Sequence, residues 1–229
     1  MKDIAFLLAD VWLIVVGFCF GWKFIRNYGN WLLGLEWTVV GVSATNFLVG
    51  SLLGSESGNV PYSVAFFLDA FSRSFGFTLV LVLGLMAVTH RYKPTLAVEV
   101  GAFGLAIVGG FLLGQFNDGT LHVGPATFYL VTNLLTTLFL AYFVTRLWDI
   151  GAKRLAGWAA VVTAAGTTIA VTYDFFPLPF DDELRTIFFT AALTTWGAQG
   201  FVYYFAYRAL HRHNAAADVQ PTEKVSGLP

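Results

Sequence analysis

Asp69 and Arg73 are two opposite charges four residues apart, inside an otherwise apolar stretch of the sequence, residues 63–77. Side chains at this spacing lie on one face of an α-helix, where a carboxylate and a guanidinium neutralise each other. Ionisable side chains at membrane depth usually face the interior of a helix bundle or a water-filled cavity. The two residues therefore indicate a surface inside the helix bundle, where they can form an ion pair or bind a charged group.

Other polar side chains fall at a similar predicted depth in three further apolar stretches: Asp10, Asn46 and Asn133. Thr190 belongs to a stripe of threonines at helical spacing, which is typical of a helix face turned toward the bundle. Threonine hydroxyls also bond the carbonyl four residues earlier and allow close packing, so for any single threonine we favour the packing explanation. Together these residues predict a polar layer within the bundle.

This layer has two interpretations. In the functional one, Arg73 presents its planar donor fork to a carboxylate or phosphate, Asp69 and Asp10 are counter-charges and proton or cation sites, and three side chains line the cavity: Asn46, Asn133 and Thr190. In the structural one, Asp69, Arg73 and Asp10 form a buried triad that joins two helices. Because an unpaired arginine at mid-membrane costs about 2.5–3.5 kcal/mol on insertion scales, both interpretations place a carboxylate beside Arg73.

The composition predicts which elements position these side chains. Of the 229 residues, 57% are hydrophobic and 12% are charged, with a mean hydropathy of +0.68. Soluble domains have about 25% charged residues, so the sequence predicts an all-α polytopic membrane protein. We expect the lipid bilayer as its main partner and no nucleic acid.

Seven transmembrane helices are predicted when about 20 apolar residues are assigned to each crossing. Their ranges are 4–22, 31–54, 62–89, 95–116, 125–147, 155–175 and 184–210. Basic residues collect after the odd-numbered helices, and the positive-inside rule then places the N-terminus outside and the C-terminus in the cytoplasm. We expect residues 1–210 to form the transmembrane domain and residues 211–229 a disordered cytosolic tail.

Acidic residues also lie near the predicted helix ends. Glu36 and Glu99 fall close to cytoplasmic ends, where the helix dipole favours a carboxylate. We interpret them as caps or as partners of Arg26 and Lys93, with an inner gate of charges as the alternative. An acidic rim at the opposite end indicates helix capping and loop anchoring, with cation attraction second; it comprises Asp174, Asp181, Asp182 and Glu183.

Several classes of protein are disfavoured by what the sequence lacks. The single Cys19 rules out an internal disulfide and any cysteine-rich metal site. None of the four histidines lies at the centre of a predicted helix, which argues against haem ligation. An HExxH motif is absent, which argues against zinc proteases. We therefore expect no cofactor and no metal.

The function predicted from these features is that of a small transporter or channel-like protein in the cytoplasmic (inner) membrane of a bacterium or archaeon. Its cavity, open to the outer face, binds a small polar or anionic solute. The alternative is a non-transporting membrane subunit or sensor with a structural charge cluster. A lipid-modifying enzyme is a third class, with Glu36, Glu99 or His90 as its acid–base group. The sequence favours a non-enzymatic role and is compatible with a homo-oligomer.

Overall fold

The computed structural model describes residues 2–52, 60–116, 120–176, 178–182 and 185–225. Regular secondary structure in these ranges is entirely helical, which confirms the predicted all-α class. The elements are α1 Lys2–Tyr28, α2 Trp31–Leu52, α3 Val60–Phe71, a π-helix Ser72–Val80, α4 Leu81–Thr89, α5 Leu96–Gly114, α6 Val123–Asp149, α7 Lys153–Phe175 and α8 Thr186–Val225.

Six helical segments within the described ranges are long and apolar enough to cross a membrane. They are Lys2–Tyr28, Trp31–Ser51, Ser63–Thr89, Leu96–Gly114, Val123–Asp149 and Lys153–Phe175, and they match the first six predicted crossings. Helix α8 covers residues 186–210 of the seventh predicted crossing but is not in this group, because threonine, glutamine and tyrosine side chains lower its hydropathy. The chain is thus a helical multi-pass membrane protein, and the seventh crossing stays a prediction.

Large apolar side chains cover the outside of the bundle. Phe111 on α5 is 70% exposed and Leu138 on α6 is 69% exposed, and similar residues lie along α1. A surface of this kind is costly in water but matches the hydrocarbon interior of a bilayer. The outward faces of these helices therefore contact lipid.

Helices α1 and α2 form a tightly packed antiparallel pair. A Cβ atom built on Gly17 would lie 2.7 Å from the backbone nitrogen of Gly41, so the two backbones approach each other directly. The connection turns at Gly29, whose φ of +60° is one that side-chain-bearing residues rarely adopt. The Asn30 carboxamide then caps α2 by accepting from Leu33 N at 3.0 Å and donates to Gly84 O at 2.8 Å.

The third apolar segment is continuous from α3 through α4 but changes its hydrogen-bonding pattern in the middle. The π-helix Ser72–Val80 has nine residues, whereas most π-helical segments are single turns inserted in an α-helix, frequently at functional sites. Arg73 lies in its first turn and Gly76 in its middle. This irregular segment therefore positions the charged residue identified from the sequence.

Helix α8 continues through residue 225, although a disordered tail is predicted from residue 211. Arg91 forms a 2.6 Å ion pair with Asp218, and the Asn214 carboxamide donates to Val88 O at 2.9 Å. Three consecutive alanines, residues 215–217, favour helix between these contacts. The boundary at residue 210 between a domain and a tail stays a prediction, but the backbone that follows it is helical.

Candidate functional site around Arg73

Arg73 forms ion pairs with two carboxylates from different helices. Its Nη1 lies 3.3 Å from Asp69 Oδ2, one turn earlier on α3, and its Nη2 makes a close contact with Asp174 Oδ2 near the end of α7. Only 11% of the Arg73 side chain is exposed. The predicted Asp69–Arg73 pair is confirmed, and Asp174 is an additional partner.

Two tyrosine rings enclose the same guanidinium. The Arg73 Cζ atom lies 4.1 Å from the ring centre of Tyr129 on α6 and 3.9 Å from that of Tyr173 on α7. The Tyr173 hydroxyl also donates to Asp69 Oδ1 at 3.0 Å. Cation–π contacts of this kind strengthen when water is excluded. Arg73 therefore joins α6 and α7 to the interrupted third segment.

The end of α7 is stabilised by two arginines. A carboxylate in the last turn of a helix is disfavoured by the helix dipole, and Arg73 offsets this cost for Asp174. Arg185, which directly precedes α8, donates from Nη2 to the Tyr173 carbonyl at 2.9 Å. Carbonyls at a helix C-terminus lack partners within the helix, so this bond satisfies one of them.

A cavity of about 770 Å³ lies beside this cluster. Its lining includes all four charged side chains: Asp69, Arg73, Asp174 and Arg185. The lining extends from the exposed residues Thr120 and Leu121 to Leu140 and Gln199 in the bundle. On α6 alone it runs from Pro125 to Leu140, a distance of about 22 Å along an α-helix. The volume is within the range of small-molecule sites.

Hydroxyl and amide groups lie among the apolar side chains in the deep part of the cavity. The Oγ1 atoms of Thr137 and Thr167 lie 2.9 Å apart, and the Oγ1 of Thr163 lies 2.8 Å from the Tyr203 hydroxyl. Gln199 Nε2 donates to the same Tyr203 hydroxyl at 3.3 Å, while its buried Oε1 has no hydrogen-bond partner within the described residues. This wall can offer both donors and acceptors to a bound molecule.

The other predicted site residues are distributed more widely. Asn133 lines the cavity and donates from Nδ2 to Tyr129 O at 2.9 Å. Asn46 is half-buried on α2 and is not part of the lining. The Thr190 hydroxyl donates to Thr186 O at 2.6 Å, as in the packing interpretation, and is also outside the lining.

Asp10 is separate from the cluster. It is fully buried, does not line the cavity, and its two carboxylate oxygens have no hydrogen-bond partner among the described residues. The expected pairing of Asp10 with Arg73 is therefore not formed. Helix α1 packs mainly on α2 and α8, whereas Arg73 faces α6 and α7, so Asp174 supplies the second carboxylate.

Four residues of the cluster are not among the functional residues predicted from the sequence: Tyr129, Tyr173, Asp174 and Arg185. The sequence places Asp174 in the acidic rim because it lies near a predicted helix end. Its neighbour Tyr173 and the more distant Tyr129 carry no spacing signal that relates them to Arg73. Their common position depends on how three helices pack, which the periodicity of one helix does not specify.

Asp181 and Asp182 of the acidic rim cap α8, as predicted. Asp181 Oδ1 and Oδ2 accept from Ile187 N and Phe188 N at 2.9 and 2.8 Å, and Asp182 Oδ1 accepts from Thr186 N at 2.9 Å. Desolvation raises the pKa of Asp181, but these backbone N–H groups outweigh it and hold the pKa below its ordinary value. Glu183 lies outside the described residues.

Within the described ranges, no group of three or more histidine, cysteine, aspartate or glutamate side chains could hold a metal ion. Comparisons with protein-family models, with curated proteins and with solved structures find no match for this chain. The candidate function therefore depends on the geometry of the cavity and of the residues around it.

Proposed function

We propose that this protein is a small membrane transporter or channel-like protein that binds a small polar solute in the cavity beside Arg73. The supporting observation is the cavity itself, which reaches from exposed residues at one end of the bundle to a charged cluster and hydrogen-bonding groups within it. A purely structural charge cluster does not by itself account for a space of about 770 Å³ beside it.

The charges of the lining favour a polar over an anionic solute. Asp69 and Asp174 carry two negative charges, and Arg73 and Arg185 carry two positive charges. An anion approaching Arg73 would compete with two carboxylates that already contact the guanidinium. A neutral or zwitterionic solute with hydroxyl or amino groups meets complementary partners in the same lining without breaking these pairs.

The proposed topology has seven crossings, with the N-terminus outside and the C-terminus in the cytoplasm of a prokaryotic inner membrane. The distribution of basic residues supports this orientation. In this orientation the cavity opens at Thr120 and Leu121 toward the outer face, so the solute enters from outside.

A non-transporting membrane subunit is the second candidate, and the dense pairing of Arg73 favours it. Two carboxylates and two tyrosine rings from three helical segments surround one guanidinium. Buried ion-pair networks of this kind can specify how helices pack. In this case the cluster would be needed for folding and would have no ligand.

Adjacent positions on α6 provide the experiment. Thr137 lines the cavity, whereas Leu138 is 69% exposed toward lipid. The purified protein is reconstituted in liposomes, and uptake of radiolabelled sugars, amino acids and polyols is measured for wild type, Thr137→Trp and Leu138→Trp. We expect wild type and Leu138→Trp to transport at least one solute and Thr137→Trp to lose most of that flux. Equal flux in both tryptophan variants contradicts the cavity as the route, and no flux in any variant favours the non-transporting subunit.

A further inference from the structure

Glu36 on α2 is a carboxyl group enclosed within the protein. Its exposed fraction is 0%, and neither carboxylate oxygen has a hydrogen-bond partner among the described residues. The interpretation as an interfacial cap or as a partner of Arg26 therefore does not apply: Arg26 is exposed, and none of the salt bridges in the described structure involves Glu36.

The carboxyl lies directly against the middle of the π-helix. A Cβ atom built on Gly76 would lie 2.8 Å from both Glu36 oxygens, so the glycine provides the space that the carboxyl occupies. Gly76 is three residues after Arg73 in the same π-helical segment. The enclosed carboxyl and the charged cluster are therefore attached to one irregular backbone element.

Glu36 also continues the face of α2 that lines the cavity. The lining residues of α2 are Val40, Ser43, Ala44 and Phe47. Glu36 is one helical turn before Val40 on this face but is not itself part of the lining. Phe77, the residue after Gly76, is part of the lining and packs edge-on against Trp37 at 5.7 Å. The carboxyl thus lies just beyond the inner end of the cavity, next to the aromatic pair Trp37–Phe77.

The surroundings of the Glu36 carboxyl indicate what neutralises its charge. Helix α2 packs against α1, α3, the π-helix and α4. The charged groups on the packed faces of these elements are Asp10, Asp69 and Arg73, and α4 has no charged residue. Neither the two aspartates nor Arg73 forms a salt bridge with Glu36. An ionised carboxylate without a counter-charge or a hydrogen bond is strongly disfavoured in such a place. A metal cation would need several oxygen ligands, whereas a proton needs one oxygen.

We propose that Glu36 is a proton-binding site at the inner end of the cavity, and that its proton exchanges with water in the cavity past Phe77. The proton is bound to a Glu36 carboxylate oxygen, which packs against Gly76. Its exchange with water changes no other covalent bond of the protein. This inference uses the cavity but does not depend on solute transport. If transport is also present, the site offers a way to couple it to protons.

Infrared spectroscopy of the full-length protein in lipid nanodiscs tests the proton directly. A protonated carboxyl has a separate C=O stretching band, which moves to lower frequency after exchange into D₂O. Asp69 and Asp174 form ion pairs with Arg73, so within the described residues the enclosed carboxyl groups without a partner are Glu36 and Asp10, and we assign the band at neutral pH to these two. We expect Glu36→Gln to remove about half of this band, and Asp10→Asn to leave the part that belongs to Glu36. An undiminished band in Glu36→Gln, or no band in Asp10→Asn, overturns the proposal.

If Glu36→Gln does not fold, Asp10→Asn still tests the proposal, because Glu36 is intact in that variant. The proposed route past Phe77 is tested by the rate at which the band shifts in D₂O. Phe77→Ala should accelerate this exchange several-fold, whereas the lipid-facing control Leu138→Ala should not change it. An unchanged rate in Phe77→Ala overturns the route through the cavity. None of these readouts requires a solute, so they are independent of the flux assay.

Discussion

The Asp174 carboxylate contacts the guanidinium of Arg73 across 101 residues of sequence, and this contact joins the end of α7 to the first turn of the π-helix. Asp69 contacts the same guanidinium from one turn away, so two carboxylates share one cation. The arrangement keeps a charged residue inside an apolar bundle and at the wall of a cavity. The side chains that hold these helices together therefore also line the proposed solute site.

Arg73→Ala should destabilise the protein strongly, because it leaves two largely buried carboxylates without their counter-charge. Removing one partner of a buried pair costs about 3–5 kcal/mol; because Asp69 and Asp174 are 24% and 22% exposed and line the cavity, we expect the lower end of this range. The loss is measured as a lower apparent Tm in detergent. Arg73→Ala combined with Asp174→Asn should recover part of it, because one of the unpaired charges is removed.

Arg91→Ala is the matched control for this change. Arg91 and Asp218 also form an ion pair, but their side chains are 53% and 65% exposed. Exposed pairs are worth about 0–1 kcal/mol, so the apparent Tm should hardly change. Equal losses in the two arginine variants would show that the burial of the Arg73 cluster has no energetic consequence.

Tyr173→Phe and Tyr129→Phe should differ, although both rings face Arg73. The Tyr173 hydroxyl donates to Asp69, and a hydrogen bond to a charged group is worth about 1.5–3 kcal/mol. The buried Tyr129 hydroxyl has no hydrogen-bond partner in the described part of the chain. Thermal denaturation should therefore show a loss for Tyr173→Phe and almost none for Tyr129→Phe. The reverse order is incompatible with the hydrogen bond to Asp69.

Gly17→Ala should destabilise the pair formed by α1 and α2. The new methyl group would lie 2.7–2.8 Å from backbone atoms of Trp37 and Gly41, so the helices must move apart. Overpacking of this kind costs about 1–3 kcal/mol. Gly157 on α7 has no atom within 4 Å of a built Cβ, so Gly157→Ala should be neutral or stabilising by up to about 1 kcal/mol. Both effects can be read from the apparent Tm, and a loss in Gly157→Ala alone contradicts the packing described here.

The start of α8 should weaken in acid because of Asp181. Its pKa is lower in the folded protein than in the unfolded chain, so its stabilising effect is complete at neutral pH. That effect is lost as the pH falls through the folded pKa, below a pH of about 4. Asp181→Asn should therefore have a lower apparent Tm than wild type at neutral pH, and the difference should shrink in acid. A difference that stays constant with pH is evidence against the carboxylate cap.

Local sequence patterns predicted part of this structure correctly. Runs of about 20 apolar residues predicted the six helices that are long and apolar enough to cross a membrane, because the requirement to span a bilayer acts on each segment separately. The spacing of Asp69 and Arg73 predicted their ion pair, because one helix places both side chains on one face. The capping role of Asp181 and Asp182 followed from their position before α8.

Features that depend on several helices could not be predicted in this way. The contact of Asp174 with Arg73 requires the relative register of α7 and the π-helix, and the π-helix itself has no distinctive composition. From its distance to a helix end, the sequence predicts that Glu36 lies at the membrane interface. Its burial arises because α2 packs on four other elements and Gly76 leaves space for its carboxyl.

Cysteine labelling shows whether the cavity beside Arg73 contains water. In a Cys19→Ser background, Thr137→Cys places a thiol in the cavity lining and Leu138→Cys places one toward lipid. A membrane-impermeant maleimide is added to intact cells, and the labelled fraction is measured by mass spectrometry. We predict that the cysteine at position 137 reacts from the outside and that the cysteine at position 138 stays unlabelled. Equal protection of both positions, on either side of the membrane, would contradict a solvated cavity and with it the proposed solute site.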